Sequence, residues 1–543
     1  MLNEHLPLPV GPFRLAHDVL RAAAQLAPDR EAFVDGGTGE RITFAEWNRQ
    51  ADCVAGALQR RGVSKNDVVS LILPSSIDYA VVYQAAMRLG AITSGINPRL
   101  GARERTYILE HTRPTLTVVD EKLIDSASLS NISTHTITRD QLAAWRSGSP
   151  AETASLPNLS EDDTVAIVWT SGTTGMPKGA LFDHACLKAM AAAAGELTMP
   201  GDRKLSPLPF AHIGYMTRPW DEVSNLVTTI ICATPWKPDE ALAVIQRERV
   251  TVCQGVPTQY DMLLRQPAFD HTDFSSLRIV GMGAARIPPE MVREATKRFG
   301  APCIVRFAST ESSVCTGTRL DDDVETIANT VGRPGQGVEL ELRDEDNVPV
   351  PVGQVGTVCI RSRAQMRGYW RDPERTREAI DAEGWLVTGD LGRLDERGVL
   401  SLVGRRTEMY IRGGYNVYPA EIENLLGDHR LVSRIAIVGV PTSVIGEMGV
   451  AYVVPSSTSG TSGTSGTLPN GTVQSPGSGA LLDELRAVCR EELADYKAPD
   501  RLVVVDELPL TSMLKIDKRA LAARWIEVDL PNSLTTSTTK GNP

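Results

Sequence analysis

The stretch VAIVWTSGTTGMPKG, residues 165–179, joins a short apolar run directly to a loop of small residues. Val165–Trp169 is apolar and rich in β-branched residues, which predicts a buried strand. Thr170–Gly179 holds three glycines, four hydroxyl residues and one lysine. Glycines let a backbone approach phosphate closely, and backbone N–H groups, hydroxyls and Lys178 supply hydrogen-bond donors. The stretch therefore predicts a strand that leads into a triphosphate-binding loop.

Two other interpretations of this loop are a Walker loop and a surface loop without a ligand. A Walker loop needs GxxxxGK followed by Ser or Thr, whereas Lys178 follows Met176-Pro177 and precedes Gly179. That excludes the Walker type. A surface loop of small residues without a ligand is as compatible with these ten residues as a phosphate site. The nucleotide contacts predicted here are Thr170, Ser171, Gly172, Thr173, Thr174, Gly175 and Lys178.

On the N-terminal side of this loop, helical and strand patterns alternate. Phe44–Arg61 has apolar residues at helical spacing, with Thr43 as its predicted N-cap. Val68–Leu73 and Thr115–Val119 predict short buried strands, and Tyr79–Leu89 predicts a helix between them. This alternation is typical of an α/β protein with a largely parallel sheet.

On the C-terminal side, two changes of composition indicate domain organisation. The pattern changes near Gly404, and we predict a boundary at about Arg406, with domains at 1–405 and 406–530. Residues 456–479 are rich in Ser, Thr and Gly, which predicts a disordered insertion. Residues 531–543 predict a disordered tail.

Composition excludes several classes of protein. The net charge of −11, without a long basic run, argues against nucleic acid as a partner. The eight cysteines are scattered without a CxxC pair, which favours reduced thiols over disulfides or zinc. The N-terminus lacks the pattern of a signal peptide, and no apolar run reaches the roughly 20 residues that span a bilayer. We expect a cytoplasmic protein without a transmembrane segment; its composition is also compatible with a homodimer.

Eight further motifs follow the loop in a fixed order. They are PLPFAHIGY (207–215), GMGAARIPPE (281–290), FASTE (307–311), VGRPG (331–335), MRGYW (366–370), GWLVTGDLG (384–392), GRRTEMYIRGGYNVYPAEIE (404–423) and PLTSMLKIDKRAL (509–521). With the loop, this set resembles the adenylate-forming superfamily, and within it the AMP-forming acyl-CoA synthetases of the fatty-acid and aryl type. The resemblance covers about residues 20 to 525.

The resemblance implies a large N-terminal domain of parallel α/β sheets with a β-barrel-like subdomain. It also implies a small, mobile α+β C-terminal domain and an active site between the two. The implied reaction starts when a carboxylate attacks the α-phosphate of Mg·ATP and gives acyl-AMP and pyrophosphate. CoA then displaces AMP, so ATP, Mg²⁺ and CoA are the expected cofactor and co-substrates.

Matching positions in the motifs carry the implied roles. Lys515 is the adenylation lysine, Thr310 contacts phosphate, Glu311 binds Mg²⁺ and His212 lies beside the substrate carboxylate. Asp390 holds the ribose hydroxyls, and Arg405 contacts ribose or phosphate. The implied adenine contacts are Gly283, Ala284, Ala285 and Phe307; the acyl pocket is His212, Ile213, Met216, Trp220, Ala308 and Val314; Gly413 and Gly414 line the CoA passage; and the hinge is Thr407, with Glu408 as the alternative.

Two positions depart from the family pattern. Phe307-Ala308 stands where Tyr-Gly is usual, and Leu514 stands where a glycine usually precedes the catalytic lysine. If position 514 needs a positive φ, leucine costs about 1–2 kcal/mol. Two alternatives stay open beside the acyl-CoA synthetase, and the departures at Ala308 and Leu514 favour only the second. One is an acyl-AMP ligase that serves a separate carrier protein, and the other is a non-catalytic nucleotide-binding relative. The identity of the carboxylic acid stays open as well.

Overall fold

The computed structural model describes residues 8, 12–123, 135–148, 157–170, 176–442, 445–456, 478–511 and 514–529. Loop residues 171–175, nearly all of the predicted insertion and the predicted tail lie outside this set. The chain divides into two compact units. The first runs to Thr388 and includes Gly392–Leu402, and the second comprises Gly389–Leu391 and the chain from Val403 onward. The predicted boundary at about 406 lies close to the Leu402/Val403 division, and Asp390 groups with the second unit.

The α-helices of the described residues, in chain order, are α1 (Ala16–Leu26), α2 (Phe44–Arg60), α3 (Ile77–Leu89), α4 (Ala102–Thr112), α5 (Arg139–Arg146), α6 (His184–Ala193), α7 (Ile213–Met216), α8 (Pro219–Ser224), α9 (Pro238–Arg247), α10 (Pro257–Leu264), α11 (Pro289–Phe299), α12 (Val324–Asn329), α13 (Pro373–Ala379), α14 (Pro419–Gly427), α15 (Ser478–Glu492) and α16 (Lys518–Asp529). Short 3₁₀ helices occur at Glu121–Leu123, Gly195–Leu197, Phe269–His271 and Asp495–Lys497.

The strands of the same residues are β1 (Glu31–Asp35), β2 (Arg41–Thr43), β3 (Val68–Ile72), β4 (Ile92–Gly95), β5 (Leu116–Val119), β6 (Thr136–Thr138), β7 (Thr164–Thr170), β8 (Lys178–Asp183), β9 (Arg203–Ser206), β10 (Thr228–Ile231), β11 (Val252–Gly255), β12 (Ile279–Gly283), β13 (Cys303–Ser309), β14 (Ser313–Gly317), β15 (Arg333–Pro334), β16 (Val338–Arg343), β17 (Val355–Ser362), β18 (Leu386–Leu394), β19 (Leu400–Arg405), β20 (Tyr410–Arg412), β21 (Tyr415–Val417), β22 (Val432–Thr442), β23 (Gly446–Pro455) and β24 (Arg501–Val504).

A six-stranded sheet of the first unit carries the strand before the phosphate loop. Its order is β6-β5-β3-β4-β7-β8, and every pair is parallel except β7–β8. Strands β3, β4 and β5 are buried along their whole length, as expected for parallel strands covered on both faces. Helix α2 begins at the predicted N-cap Thr43, which forms a capping box with Glu46. The predicted α/β pattern is therefore confirmed.

The second large sheet of the first unit has nine strands in the order β15-β14-β13-β12-β11-β9-β10-β1-β2. Its interior pairs are parallel, and the antiparallel hairpins β13–β14 and β1–β2 lie toward its ends. Helices α9, α10 and α11 pack against this sheet through the apolar cluster that contains Val280 and Val305. The sheet places the GMGAARIPPE and FASTE motifs at the ends of β12 and β13.

The remaining sheet of this region has four strands in the order β16-β17-β18-β19. It corresponds to the predicted β-barrel-like subdomain. Among the described residues it is an open sheet, since its end strands β16 and β19 do not pair with each other. An open four-stranded sheet rather than a closed barrel therefore follows the parallel sheets.

The second unit is a small α+β domain, as predicted. Its five-stranded sheet has the order β21-β20-β23-β22, and β24 pairs in parallel with β23. Helices α14 and α15 cover an apolar cluster that includes Ile422 and Leu485. All eight cysteines of the chain are described and buried, and none of them forms a disulfide bond. In the ranges that the structure describes, no helix is long and apolar enough to cross a membrane.

Candidate active site

The lysine of the phosphate loop lies at the start of an antiparallel hairpin. Thr170 ends β7, Lys178 begins β8, and the two residues are register partners. The Thr170 hydroxyl is buried and has no hydrogen-bond partner within the described residues. Ser171, Gly172, Thr173, Thr174 and Gly175 lie outside these residues. The hairpin thus fixes the positions where the loop leaves and rejoins the sheet.

Lys178 and Glu311 are connected through one tyrosine. The Lys178 ammonium group donates to the Tyr369 hydroxyl at 3.0 Å, and this hydroxyl donates to Oε1 of Glu311 at 2.8 Å. The same ammonium group lies 4.6 Å from the centre of the Tyr369 ring. Burial and the Glu311 carboxylate raise the pKa of Tyr369, so its hydroxyl stays protonated at neutral pH and acts as the donor to Glu311.

The turn between β13 and β14 presents the predicted pair Thr310 and Glu311. Reciprocal hydrogen bonds between Ser309 and Ser312 close this turn, with a distance of 2.7 Å between the hydroxyl oxygens. The Glu311 carbonyl accepts the Met366 N–H at 2.8 Å. The turn therefore has a fixed backbone and carries the carboxylate into the contact with Tyr369.

Glu311 fits a magnesium ion that arrives with a nucleotide. Within the ranges that the structure describes, no group of three or more His, Cys, Asp or Glu side chains could hold a metal. Mg²⁺ commonly uses one or two carboxylates together with substrate phosphates and water. A single half-buried carboxylate, linked through Tyr369 to the lysine of the predicted phosphate loop, matches that pattern.

The predicted adenine contacts Gly283–Ala285 follow the end of β12. A side chain at Gly283 would approach the Arg306 carbonyl to 2.8 Å, so a close contact with β13 requires glycine there. Ala284 has a φ of +64°, a conformation that alanine adopts at a cost. Phe307 is buried in an apolar cluster with Cys315 and Val358. The structure thus places Phe307 in a core, where its ring packs against the four-stranded sheet.

The predicted acyl-pocket residues fall into separate apolar clusters. Ile213, Met216 and Trp220 belong to the largest cluster of the first unit. Ala308 and Val314 are register partners beside a bulge, and they pack with Met190 of α6 in a smaller cluster. Helix α6 contributes to both clusters.

His212 and Trp220 lie at the ends of a short helical segment. His212 is half-buried and caps α7, where its Nδ1 accepts the Gly214 N–H at 3.2 Å. Trp220 of α8 is fully buried, and the Lys188 ammonium group lies 5.6 Å from its ring centre. The imidazole of His212 is thus held by its own helix, and Trp220 is a rigid apolar surface.

A network of buried charges holds α8, and the sequence analysis did not identify it. Lys204 pairs with Glu222, and Arg218 pairs with Asp221, all four being nearly inaccessible to solvent. The Thr198 hydroxyl donates to Asp221 at 2.9 Å. In the sequence these side chains resemble ordinary surface charges, because their spacing does not reveal that all four are buried: Arg218 and Asp221 are three positions apart, and Lys204 and Glu222 are 18 apart.

The second unit brings together three predicted residues, Asp390, Arg405 and Lys515. Nε of Arg405 donates to Oδ1 of Asp390 at 2.9 Å. Desolvation and the Arg405 charge lower the pKa of Lys515 to about 8, and Asp390 opposes this shift. The three side chains therefore interact electrostatically within one unit.

The backbone around Lys515 forms a tight turn. The Thr511 N–H donates to the Lys515 carbonyl at 2.7 Å, and the Leu514 N–H donates to the Thr511 carbonyl at 2.9 Å. Leu514 has a φ of +58°. Position 514 therefore needs a positive φ, and a leucine occupies this left-handed conformation where the family usually has glycine.

Two other predictions fall in the second unit. Gly413 and Gly414 have φ values of +57° and +88° and form the turn between β20 and β21. Thr407 follows β19, and the neighbouring Glu408 carboxylate accepts from the Lys518 ammonium group at 2.8 Å. The roles of the glycine turn and of the hinge stay predictions.

Tyr369 is a residue of this site that was not predicted from the sequence. Its position inside a motif of the resemblance was the available signal. Its partners could not be found from the sequence, because Lys178 lies 191 positions and Glu311 58 positions away.

Comparisons with known proteins agree with the motifs. Residues 20–370 match the AMP-binding enzyme family, and residues 421–515 match the AMP-binding enzyme C-terminal domain. A 3-[(3aS,4S,7aS)-7a-methyl-1,5-dioxo-octahydro-1H-inden-4-yl]propanoyl:CoA ligase of Rhodococcus jostii is 31% identical, over 92% of this chain and 97% of the relative. The enzyme of the same name from Mycobacterium tuberculosis is 33% identical, over 96% and 99%.

A solved structure shares the fold. The anthranilate CoA ligase AuaEII in complex with anthranoyl-AMP superposes with a TM-score of 0.84 at 25% identity, covering 97% of this chain and 99% of that one. The family model alone spans well over half of the sequence. The chain therefore belongs to the AMP-binding enzyme family, the adenylate-forming superfamily that its motifs resemble, and within it to the acyl-CoA synthetases.

Proposed function

We propose that this chain is an acid–thiol ligase that activates a hydrophobic carboxylic acid in two steps. In the first, a carboxylate oxygen attacks the α-phosphorus of ATP, and pyrophosphate leaves to give acyl-AMP. In the second, the thiolate of CoA attacks the acyl carbon, and AMP leaves to give the thioester. Relatives named as CoA ligases and a neighbour that holds an acyl-AMP support this sequence of steps.

The observation that carries the proposal is the environment of Lys515. Its lowered pKa of about 8 indicates an ammonium group that is partly removed from water beside Arg405. A desolvated cation stabilises developing negative charge much more strongly than a solvated one. Lys515 is thus suited to bind the substrate carboxylate and the α-phosphate in the adenylation step.

Asp390 and Arg405 serve the nucleoside in this proposal. A carboxylate has two acceptor oxygens, which suit the two hydroxyls of a ribose. Arg405 donates to Asp390 through Nε, and its guanidinium group contacts ribose or phosphate in this proposal. Adenine lies along Gly283, Ala284 and Ala285, near Phe307.

The triphosphate belongs to Thr310, Glu311, Lys178 and the loop 170–175. Mg²⁺ bound to the nucleotide supplies charge neutralisation on the phosphates. Glu311 supplies the carboxylate for that ion, and Thr310 donates to the α-phosphate. Lys178 offsets charge on the departing pyrophosphate.

The substrate is an apolar acid. His212 lies beside its carboxylate, and Ile213, Met216, Trp220, Ala308 and Val314 line its chain or ring. Every side chain in this set except His212 is apolar, and Trp220 and Met216 are fully buried. A set of this size and character fits acetate less well than a larger apolar acid. The bicyclic and aromatic acids in the names of the relatives and the neighbour agree with a bulky substrate.

The acceptor is CoA, reached past Gly413 and Gly414 after a movement about Thr407. The partners are small molecules, and we propose a cytoplasmic enzyme. A carboxylic-acid panel with ATP, with and without CoA, tests this function by mass detection of AMP and thioester. Pyrophosphate release without thioester would support a ligase for a carrier protein. Absence of release with every acid would support a nucleotide-binding relative.

Replacing Lys515 separates the two steps. We expect Lys515→Ala to reduce acyl-AMP formation by at least a hundredfold, because the transition-state charge loses its partner. Thioester formation from supplied acyl-AMP should change little. The second-unit variant Lys497→Ala, which loses only an ion pair with Glu421, is the matched control. Equal loss in both steps would contradict this role of Lys515.

A further inference from the structure

The segment of the MRGYW motif links two elements that the proposed function uses. Its backbone pairs with β8, since the Leu181 N–H donates to the Gly368 carbonyl at 2.9 Å and the Trp370 N–H donates to Gly179 at 2.7 Å. Met366 donates to the Glu311 carbonyl on the other side. The segment therefore fixes the distance between the strand of Lys178 and the turn of Glu311.

Tyr369 projects from this segment into the space between the two charges. It is 6% exposed, and its own N–H donates to the Thr376 hydroxyl at 2.9 Å. Its hydroxyl accepts from Lys178 and donates to Glu311, and its ring lies beneath the ammonium group. Both backbone and side chain are thus held in one position.

Without this hydroxyl, Lys178 and Glu311 would have a different preferred partner. A lysine and a carboxylate close together in a partly buried place attract each other strongly. A direct ion pair would occupy the cation that the triphosphate needs and the carboxylate that the metal needs. A neutral hydroxyl between them satisfies each charge with one hydrogen bond that a ligand can replace.

We propose that Tyr369 is a positioning residue that keeps Lys178 and Glu311 apart, so that each is available for Mg·ATP. This inference rests on the proposed function, because it assumes that Lys178 and Glu311 receive the triphosphate and its metal. It assigns Tyr369 no contact with the nucleotide. Its effect on ATP binding is therefore transmitted only through these two side chains.

Tyr369→Phe tests the inference, because it keeps the ring and removes only the hydroxyl. ATP binding is measured by calorimetry on the full chain without carboxylic acid or CoA, once with EDTA and once with Mg²⁺. In EDTA we expect Tyr369→Phe to raise the Kd for ATP roughly tenfold, because ATP must then displace Glu311 from a direct ion pair with Lys178. With Mg²⁺ we expect the concentration of metal needed for half-maximal binding to rise as well.

Two variant proteins distinguish a residue that keeps Lys178 and Glu311 apart from a residue that contacts ATP. In Glu311→Gln no ion pair can form, so adding Tyr369→Phe should change the Kd less than twofold. In Lys178→Met the second substitution should also have little effect, because the cation is already gone. Such non-additivity is the signature of side chains that act as one group.

The control is Tyr452→Phe, which removes another buried hydroxyl, one that donates to the Leu521 carbonyl at 2.9 Å. It should lower the melting temperature about as much as Tyr369→Phe and leave ATP binding unchanged. A Tyr369→Phe protein that binds ATP like the wild type would overturn the inference, and so would an equal loss in the Glu311→Gln background. If the wild type itself failed to bind ATP, the proposed function would fail instead.

Discussion

At the scale of single residues, the charge of Lys515 decides how the proposed reaction depends on pH. Its pKa is lowered from 10.5 to about 8, first by desolvation and then by Arg405. The ammonium form that adenylation requires is therefore complete below about pH 7 and is lost as the pH rises through 8. We expect acyl-AMP formation to be half-maximal near pH 8 and to fall about tenfold for each pH unit above about 9, measured by pyrophosphate release with saturating ATP.

Lys515→Arg is the comparison variant for this loss of acyl-AMP formation at alkaline pH. A guanidinium group stays protonated throughout this range, so the variant should be slower at neutral pH but nearly flat from pH 7 to 9.5. If the alkaline decrease persisted unchanged in the arginine variant, another group would be responsible for it.

At the scale of structural elements, the turn before Lys515 stores strain. Leu514 has a φ of +58°, between two hydrogen bonds that fix the turn. Glycine adopts this conformation without a steric penalty, although it also loses more entropy on folding. We expect Leu514→Gly to stabilise the second unit by up to about 1 kcal/mol, measured by urea denaturation. Leu514→Ala keeps the penalty and is the control; equal effects of both variants would contradict strain at this position.

The sequence predicted those elements whose signals are local. Thr43 is the N-cap of α2, as predicted, and it forms a capping box because Glu46 lies three positions away. The Tyr369 contacts escaped prediction because their partners lie far apart in the sequence. The charged pairs of α8 escaped it because the sequence does not show that these side chains are buried. The motifs predicted Glu311, Asp390 and Lys515 from their positions. A motif does not show which neighbouring residues hold a side chain in place.

At the scale of the whole molecule, the order of the motifs predicted two units with different sheet types. A boundary at 406 would assign Asp390 to the first unit. Gly389–Leu391 instead group with the residues from Val403 onward, in the second unit. A linear sequence cannot indicate this exchange, in which one strand contributes to both units. Three residues of the proposed adenylation chemistry, Asp390, Arg405 and Lys515, consequently belong to the second unit.

The first unit should also lose stability in mild acid, because two buried histidines connect its helices. Nδ1 of His184 at the start of α6 accepts the Ala16 N–H of α1 at 3.1 Å, and the His17 ring centre lies 5.9 Å from that of His184. Burial lowers the pKa of His184 from 6.5 to about 4 and also lowers that of His17. Between pH 6.5 and 4 the unfolded chain therefore takes up protons that the folded chain does not.

Stability should then fall as the pH decreases through this window, by roughly 2 kcal/mol for His184 alone at pH 5. Urea denaturation followed by tryptophan fluorescence measures it, since all of the eight tryptophans except Trp525 belong to the first unit. His184→Asn keeps an acceptor for the Ala16 N–H but cannot titrate, so its denaturation midpoint should depend less on pH. The exposed His271→Asn is the control and should retain the full dependence. If His184→Asn lost stability as steeply as the wild type, the buried imidazole would not be the origin of the acid sensitivity.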